Sequence, residues 1–164
     1  MTAPSEAELI RAAGQILAAC RDQSLKIVTA ESCTGGMIAT MLTEVPGSSD
    51  VFERGFVTYS NEAKEELIGV PVRLIEDFGA VSEEVARAMA VGALAASEAQ
   101  LSVSVTGVAG PGGGSPEKPV GLVHLAAARG NKVLHERCEF GDPGRNEIRR
   151  LSVARGFVLL NSLL

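Results

Sequence analysis

The segment LKIVTAESCTGGMIATMLTEV sets a short apolar run directly before a polar, glycine-containing turn and a helical pattern. The run from Leu25 to Ala30 is typical of a buried strand. The pattern that follows Gly36 is helical until Pro46, which cannot continue a helix. A strand that passes at once into a helix predicts a chain in which helices alternate with strands around a sheet.

The rest of the chain continues this alternation and closes with a hairpin. VGLVHLAAARGNKVLHERCEF predicts two strands joined at RGNK. Ser5, Asn61 and the SEEV signal at Ser82 are interpreted as helix caps. We therefore predict an α/β fold, a three-layer αβα domain with a mixed sheet and helices on both faces. Helices are expected over Ser5 to Arg21, Asn61 to Gly69, Ser82 to about Ala99 and Arg145 to Leu164, and further strands over Val51 to Ser60 and in LSVSVTGVAG.

Length and composition favour a single domain. With 164 residues, 46% of them hydrophobic, the chain can build one sizeable core, so residues 1–164 are expected to form one domain with the N-terminal helix packed on it. A net charge of −5 with scattered basic residues argues against a nucleic-acid partner. No apolar run approaches a membrane span, and three cysteines without a CxxC pair suggest neither disulfides nor zinc. We expect a cytoplasmic protein.

Two strands end in loops of unusual composition, and the first is TAESCTGG. Ser32, Cys33 and Thr34 stand where a helix begins, and unpaired N–H groups there could stabilise an oxyanion or a phosphate. A helix cap is the simpler interpretation for a single hydroxyl. Cys33 is the better intrinsic nucleophile and would have a lowered pKa at a helix start, but a packed thiol is equally ordinary there. The residues alone leave these alternatives open.

The second loop, from Gly107 to Pro119, is rich in glycine. Such a loop lets the backbone approach a ligand closely and turn several N–H groups toward an anion. It lacks the GK[ST] ending of a P-loop and the spacing of a dinucleotide fingerprint, so a flexible connector is the alternative.

A serine nucleophile needs a base. His124 and His135 both lie in the predicted hairpin and are interpreted as packed histidines. Lys64 can serve instead if burial lowers its pKa, and Tyr59 could share its pocket. The alternative for Lys64 is a surface lysine paired with a neighbouring glutamate.

Three ordered stretches carry a resemblance to a known family: AESCTGGMIATMLTEVPGSSDVFERGFVTYSNEAKEELIGV, GAVSEEVARAMAVGA and VTGVAGPGGGSPEKPVGLVHLA. Together they resemble the CinA C-terminal domain family, the nicotinamide-nucleotide amidases. The resemblance implies hydrolysis of nicotinamide mononucleotide to nicotinate mononucleotide and ammonia, in pyridine-nucleotide recycling, without a metal or organic cofactor. It assigns the nucleophile to Ser32, the supporting lysine to Lys64 and a motif tyrosine to Tyr59, which is expected to be catalytic by relaying the proton or holding the lysine.

The same resemblance suggests how the substrate is held. Backbone N–H groups near Thr34, Gly35 and Gly36 would bind the oxyanion, and a loop with Thr106, Gly107, Ala109, Gly110 and Gly112 would bind the ribose phosphate, with hydrogen bonds from Asn61 and Ser48. Where the family has GDR followed by IR, this chain has GDPGRNEIRR, so Arg145 and Arg149 are both candidates for the phosphate.

Two other functional classes are alternatives. A non-catalytic nucleotide-binding regulatory module would use both loops only to hold phosphate, and a redox protein would use a cysteine. The apolar end FVLLNSLL is compatible with a homo-oligomer.

Overall fold

The computed structural model describes residues 2–164 and contains one sheet of five strands between two layers of helices. None of the helices in these residues combines the length and the apolar character needed to cross a membrane. The helices are α1 Glu6–Asp22, α2 Met37–Thr43, α3 Asn61–Ile68, α4 Val72–Phe78, α5 Glu83–Ala95 and α6 Arg145–Asn161; the strands are β1 Ile27–Glu31, β2 Phe52–Val57, β3 Leu101–Gly107, β4 Leu122–Arg129 and β5 Lys132–Glu139.

The sheet is mixed, with strand order β2-β1-β3-β4-β5. β1 runs parallel to both of its neighbours, whereas β4 is antiparallel to β3 and to β5. Arg129 pairs with Lys132 at the end of the β4–β5 hairpin, which confirms the predicted RGNK turn. Because β1, β2 and β3 are parallel, the loops that follow them meet at one edge of the sheet.

Helices cover both faces of the sheet, as the sequence predicts. On one face α5 packs against β1, β3 and β4, and α3 and α4 pack against α5. On the other face α6 packs against β3 and β4, with α2 beside it and α1 against both helices. The three-layer αβα architecture is therefore confirmed.

β3 is anchored to α5 by hydroxyl groups. The side chains of β3 alternate between the two faces of the sheet: leucine and valine face α6, and serine and threonine face α5. Ser102 Oγ donates to Ala90 O at 2.8 Å and Ser104 Oγ to Ala86 O at 2.6 Å. The alanines of α5 permit this close approach, so the end of β3 is held firmly where the glycine-rich loop begins.

Two local predictions need correction. The cap of α3 is Ser60, whose Oγ accepts the N–H of Ala63 at 3.0 Å, and Asn61 is instead the first helical residue. Helix α4 was not predicted; it has only seven residues, none of them fully buried, and packs against α5 through the partly buried Leu74 and Ile75. The cap of α1 at Ser5 is confirmed, with Glu8 completing a capping box.

Candidate active site

A cavity of about 290 Å³ opens at the edge of the sheet where β1, β2 and β3 end. Its walls come from the turn after β1, the β2–α3 connection, the glycine-rich loop after β3 and the start of α6. The structure thus brings together most of the side chains that the sequence singles out. The predicted residues that line the cavity are Ser32, Tyr59, Asn61, Lys64, Thr106, Gly107, Ala109, Gly110, Gly112 and Arg145.

Lys64 and Ser32 form a buried pair on the wall of this cavity. Lys64 is only 1% exposed, which excludes the alternative of a surface lysine. Its Nζ lies 3.2 Å from Ser32 Oγ and donates to the carbonyl oxygens of Thr58, at 2.8 Å, and Ser60, at 3.4 Å. Main-chain groups on either side of Tyr59 therefore fix the amine in front of the hydroxyl.

The surroundings of Lys64 favour its neutral form. Burial lowers the pKa of Lys64 below its ordinary value, because the charged ammonium loses hydration. A neutral amine has two N–H donors and one lone pair. Two carbonyl oxygens accept those donors, which leaves the lone pair for the third neighbour, Ser32 Oγ. The arrangement suits proton transfer from Ser32 to Lys64.

Cys33 has the opposite character. Its side chain is buried, and the loss of hydration raises the pKa of its thiol to about 12. The expectation that a cysteine at this helix start would have a lowered pKa is therefore wrong, because burial outweighs the position in the chain. A thiol that stays protonated is a poor nucleophile and a poor redox centre.

The turn after β1 is closed by Glu31, which the sequence analysis did not identify. This fully buried carboxylate accepts the Thr34 hydroxyl at 2.6 Å and the N–H of Gly36 at 3.1 Å. The N–H of Gly35 donates to Ser32 O at 3.0 Å. Both glycines have positive φ angles, +57° and +96°, which explains the residue type.

These bonds decide which N–H groups of the turn are free. Those of Gly35 and Gly36 already have acceptors, and the Thr34 side chain is buried against Glu31. Within residues 2–164, no other residue accepts the N–H of Cys33 or of Thr34.

Two arginines of α6 lie one helical turn apart and do different things. Arg145 lines the cavity, where its guanidinium donates to Gly110 O at 2.7 Å and to the Tyr59 hydroxyl at 3.1 Å. Arg149 donates to Thr34 O at 2.7 Å and braces the turn from outside the cavity. Arg145 therefore reaches the site despite the residues inserted before it.

Ser48 is distant from the other predicted residues. It begins a short 3₁₀ segment, Ser48–Asp50, just before β2, whose first residue pairs with the first residue of β1. That is the edge of the sheet opposite the cavity, so the structure does not bring Ser48 to the site.

The histidines are also elsewhere. His124 on β4 and His135 on β5 stack on each other, with Nδ1 and Nε2 3.0 Å apart, and neither lines the cavity. Burial is the main cause that lowers the pKa of His124 to about 4. Both fit the interpretation as packed residues. Across the described residues, no cluster of three or more His, Cys, Asp or Glu side chains could hold a metal ion.

Known proteins are similar to this chain in sequence and in fold. The Escherichia coli K12 protein named nicotinamide-nucleotide amidohydrolase PncC is 47% identical over 152 residues, which cover 92% of this chain and 91% of that protein. A Pseudomonas putida protein of the same name is 56% identical over 128 residues, covering 78% and 79% of the two chains. The crystal structure of competence/damage inducible protein CihA from Agrobacterium tumefaciens superposes with a TM-score of 0.94 at 49% identity, over 99% of this chain and 98% of that one.

A match to a protein family also covers most of the chain. The sequence profile of the CinA C-terminal domain covers residues 10–164, from α1 to the end of the chain. It includes every wall of the cavity described above. The chain therefore belongs to the CinA C-terminal domain family.

Proposed function

We propose that the protein is an amidase that hydrolyses the carboxamide of nicotinamide mononucleotide to nicotinate mononucleotide and ammonia. The observation that carries this proposal is the 3.2 Å approach of a buried lysine amine to a serine hydroxyl in an open cavity. The substrate is suggested by the relatives from Escherichia coli and Pseudomonas putida, both named nicotinamide-nucleotide amidohydrolases. The reaction would serve pyridine-nucleotide recycling in the cytoplasm.

In the acylation step, Ser32 Oγ attacks the carboxamide carbon while its proton passes to the neutral amine of Lys64. The carbonyl oxygen becomes an oxyanion in the tetrahedral intermediate. When the C–N bond breaks, Lys64 returns the proton to the leaving nitrogen, so ammonia departs and Ser32 carries an ester of the nicotinate group.

In the deacylation step, water replaces ammonia. Lys64 takes a proton from the attacking water, and the resulting tetrahedral intermediate expels Ser32 Oγ. The proton returns from Lys64 to Oγ, which restores both side chains and releases nicotinate mononucleotide. One lysine thus serves as base and as acid in each half of the reaction.

We assign the oxyanion to the N–H groups of Cys33 and Thr34. The support is that these two donors have no acceptor from another residue among residues 2–164, whereas those of Gly35 and Gly36 are already used. A donor immediately after the nucleophile is a common source of such stabilisation in serine hydrolases.

The phosphate of the substrate is assigned to Arg145 together with the glycine-rich loop. Arg145 is the arginine that lines the cavity, and it already contacts that loop at Gly110 O. Asn61 and Thr106 also line the cavity, although the Thr106 hydroxyl donates to Ala80 O at 2.8 Å and so shapes the wall. Tyr59, 60% exposed, accepts from Arg145 and would hold that guanidinium at the cavity mouth.

The test is to incubate the purified protein with nicotinamide mononucleotide and measure ammonia and nicotinate mononucleotide. We expect turnover that Ser32→Ala abolishes, with a loss of about 10⁴-fold or more, as for other hydrolase nucleophiles. Cys33→Ala should lose less than about tenfold, because it removes a protonated thiol rather than a nucleophile. Equal turnover by Ser32→Ala and the wild type would refute the nucleophile, and tight binding without ammonia release would refute the amidase.

A further inference from the structure

We infer that Glu31 is a positioning residue that fixes Ser32 in front of Lys64 through the turn that follows β1. The inference deepens the proposed function and rests on it for the identity of the nucleophile. Glu31 is the last residue of β1 and immediately precedes Ser32, yet its carboxylate does not line the cavity. Any influence on the reaction must therefore pass through the turn.

The carboxylate of Glu31 accepts four donors from the far side of that turn and from the start of α2. Besides the Thr34 hydroxyl and the Gly36 N–H, Oε2 accepts the N–H of Ile38 at 3.0 Å, and Oε1 accepts the N–H of Ala39 at 2.9 Å. Three of the four donors thus share Oε2 and one binds Oε1, and only an ionised carboxylate accepts hydrogen bonds on both oxygens. A single side chain before Ser32 thus holds four of the seven residues that follow Ser32, from Thr34 to Ala39.

Ser32 itself has few main-chain contacts to hold it. Its N–H donates to Val105 O at 3.0 Å and its carbonyl accepts the N–H of Gly35 at 3.0 Å. The turn then continues through Gly35 and Gly36, and glycine has wide conformational freedom. Lys64, by contrast, is fixed to the β2–α3 connection by two carbonyl oxygens. The Ser32–Lys64 distance therefore depends on how rigidly the turn is held, which is the task of Glu31.

The chemistry of this cluster requires a carboxylate. A glutamine has the same shape, but its amide offers one acceptor oxygen and an NH₂ group that can only donate. Whichever way the amide is turned, it sets NH₂ against at least one of the four donors of the turn. Glu31→Gln should therefore loosen the turn after β1 while leaving the other cavity walls, from the β2–α3 connection, the glycine-rich loop and α6, unchanged.

The variant Glu31→Gln tests the inference through the split between kcat and KM. For ammonia release from nicotinamide mononucleotide we expect kcat to fall about 30- to 100-fold, since misplacing a reacting group by about 1 Å costs on the order of 10²-fold. KM should stay within about threefold, because the groups assigned to the substrate phosphate are untouched and the oxyanion forms only during the reaction. The matched control is Glu8→Gln, which removes a capping carboxylate on α1 far from the site and should leave kcat unchanged.

A second readout separates this inference from the proposed substrate. A fluorophosphonate reacts with an activated serine by forming an Oγ–P bond and losing fluoride, so mass spectrometry of the phosphonylated protein reports the reactivity of Ser32 directly, without nicotinamide mononucleotide. If the wild type is labelled at Ser32 but releases no ammonia, the proposed substrate fails while the labelling ratio still tests Glu31. We expect Glu31→Gln to be labelled at least about tenfold more slowly than the wild type.

Thr34→Val keeps the inference falsifiable if Glu31→Gln does not fold. It removes one of the four donors and leaves the carboxylate in place, so a loss of about three- to tenfold in kcat and in labelling rate is expected. A folded Glu31→Gln with kcat or labelling within threefold of the wild type would overturn the inference. So would a rise in KM at constant kcat, or wild-type labelling of Thr34→Val when Glu31→Gln is unfolded.

Discussion

Replacing Lys64 by methionine removes the proposed base while keeping an unbranched side chain of similar length. The Nζ atom lies 3.2 Å from Ser32 Oγ, at the edge of the range in which a general base can act directly. General-base catalysis contributes about 10²- to 10⁴-fold to a rate. We expect a loss of kcat near the upper end of this range, about 10⁴-fold, because both histidines lie outside the cavity and cannot replace the lysine as base. A loss of 10⁴-fold corresponds to about 5 kcal/mol of transition-state stabilisation.

Lys64→Met should still fold. The carbonyl oxygen of Thr58 loses a donor, at a cost of about 1–3 kcal/mol if it stays unpaired, whereas that of Ser60 keeps the main-chain N–H of residue 64 at 3.3 Å. Removing a buried amine from an apolar environment offsets part of that cost. Thermal unfolding monitored by circular dichroism establishes whether the variant is native before its activity is compared.

The assay is ammonia release from nicotinamide mononucleotide at saturating concentration, from pH 6 to pH 10. The control is Lys26→Met, the same substitution at an exposed position beside the start of β1, at the opposite edge of the sheet. It should match the wild type at every pH. The wild-type rate should rise with pH and level off below the ordinary lysine pKa of 10.5, because burial lowers the pKa of Lys64. Folded Lys64→Met that retains more than about a tenth of the wild-type kcat would refute general-base catalysis by this residue.

Three further predictions concern the substrate, pH and the loop. Arg145→Gln should raise KM for the nucleotide by about 10- to 100-fold with a smaller effect on kcat, as expected for a lost charged hydrogen bond; an unchanged KM in steady-state assays would contradict the phosphate assignment. At pH values between the lowered pKa of Lys64 and 10.5, the unfolded chain binds one more proton than the folded chain. The free energy of unfolding of the wild type, measured in urea, should therefore rise with pH relative to that of Lys64→Met. A difference in unfolding free energy that stays constant with pH would contradict this. Gly107→Ala should lower stability by about 1–3 kcal/mol in the same assay, because its Cβ would lie 2.7 Å from Val123 Cγ2, and wild-type stability would show that β4 can yield.

The strand, turn and helix around Ser32 could be predicted from the sequence because their signals are local. An apolar run, a pair of glycines and a terminating proline stand close together, and β1 and α2 form where these signals predict them. The position of Ser32 at the carboxyl end of a parallel strand follows from the same pattern.

The burial of Lys64 could not be decided from its neighbours in sequence alone, although one signal was present. Lys64 and Ile68 are four residues apart and are the two buried residues of α3, so the lysine occupies a position on the apolar face of its helix. Whether such a lysine is covered depends on the turn after β1, which brings Ser32 to Lys64 only in the folded chain. Sequence distance therefore could not separate the surface interpretation from the catalytic one.

The roles of Arg145 and Arg149 depend on tertiary packing in the same way. Both point from one side of α6 toward the site, but only the first reaches the cavity.

Glu31 could not be predicted for a different reason. It ends a strand in which every residue is buried, so no alternation of polar and apolar residues marks it as special.

Glu31 and Lys64 are both buried ionisable residues, but their hydrogen bonds suit them to different roles, Glu31 to structure and Lys64 to the proposed reaction. The carboxylate of Glu31 accepts four donors from the turn and from α2, and it does not line the cavity, so its hydrogen bonds serve the structure of the turn. The amine of Lys64 has two carbonyl acceptors for the two N–H groups of its neutral form, and its lone pair faces the Ser32 hydroxyl. Burial raises the pKa of Cys33 and lowers that of Lys64, so the same loss of hydration favours the neutral thiol and the neutral amine. In the reaction that we propose, one physical cause acting on two groups of opposite charge type thus favours Ser32 over the adjacent cysteine as nucleophile.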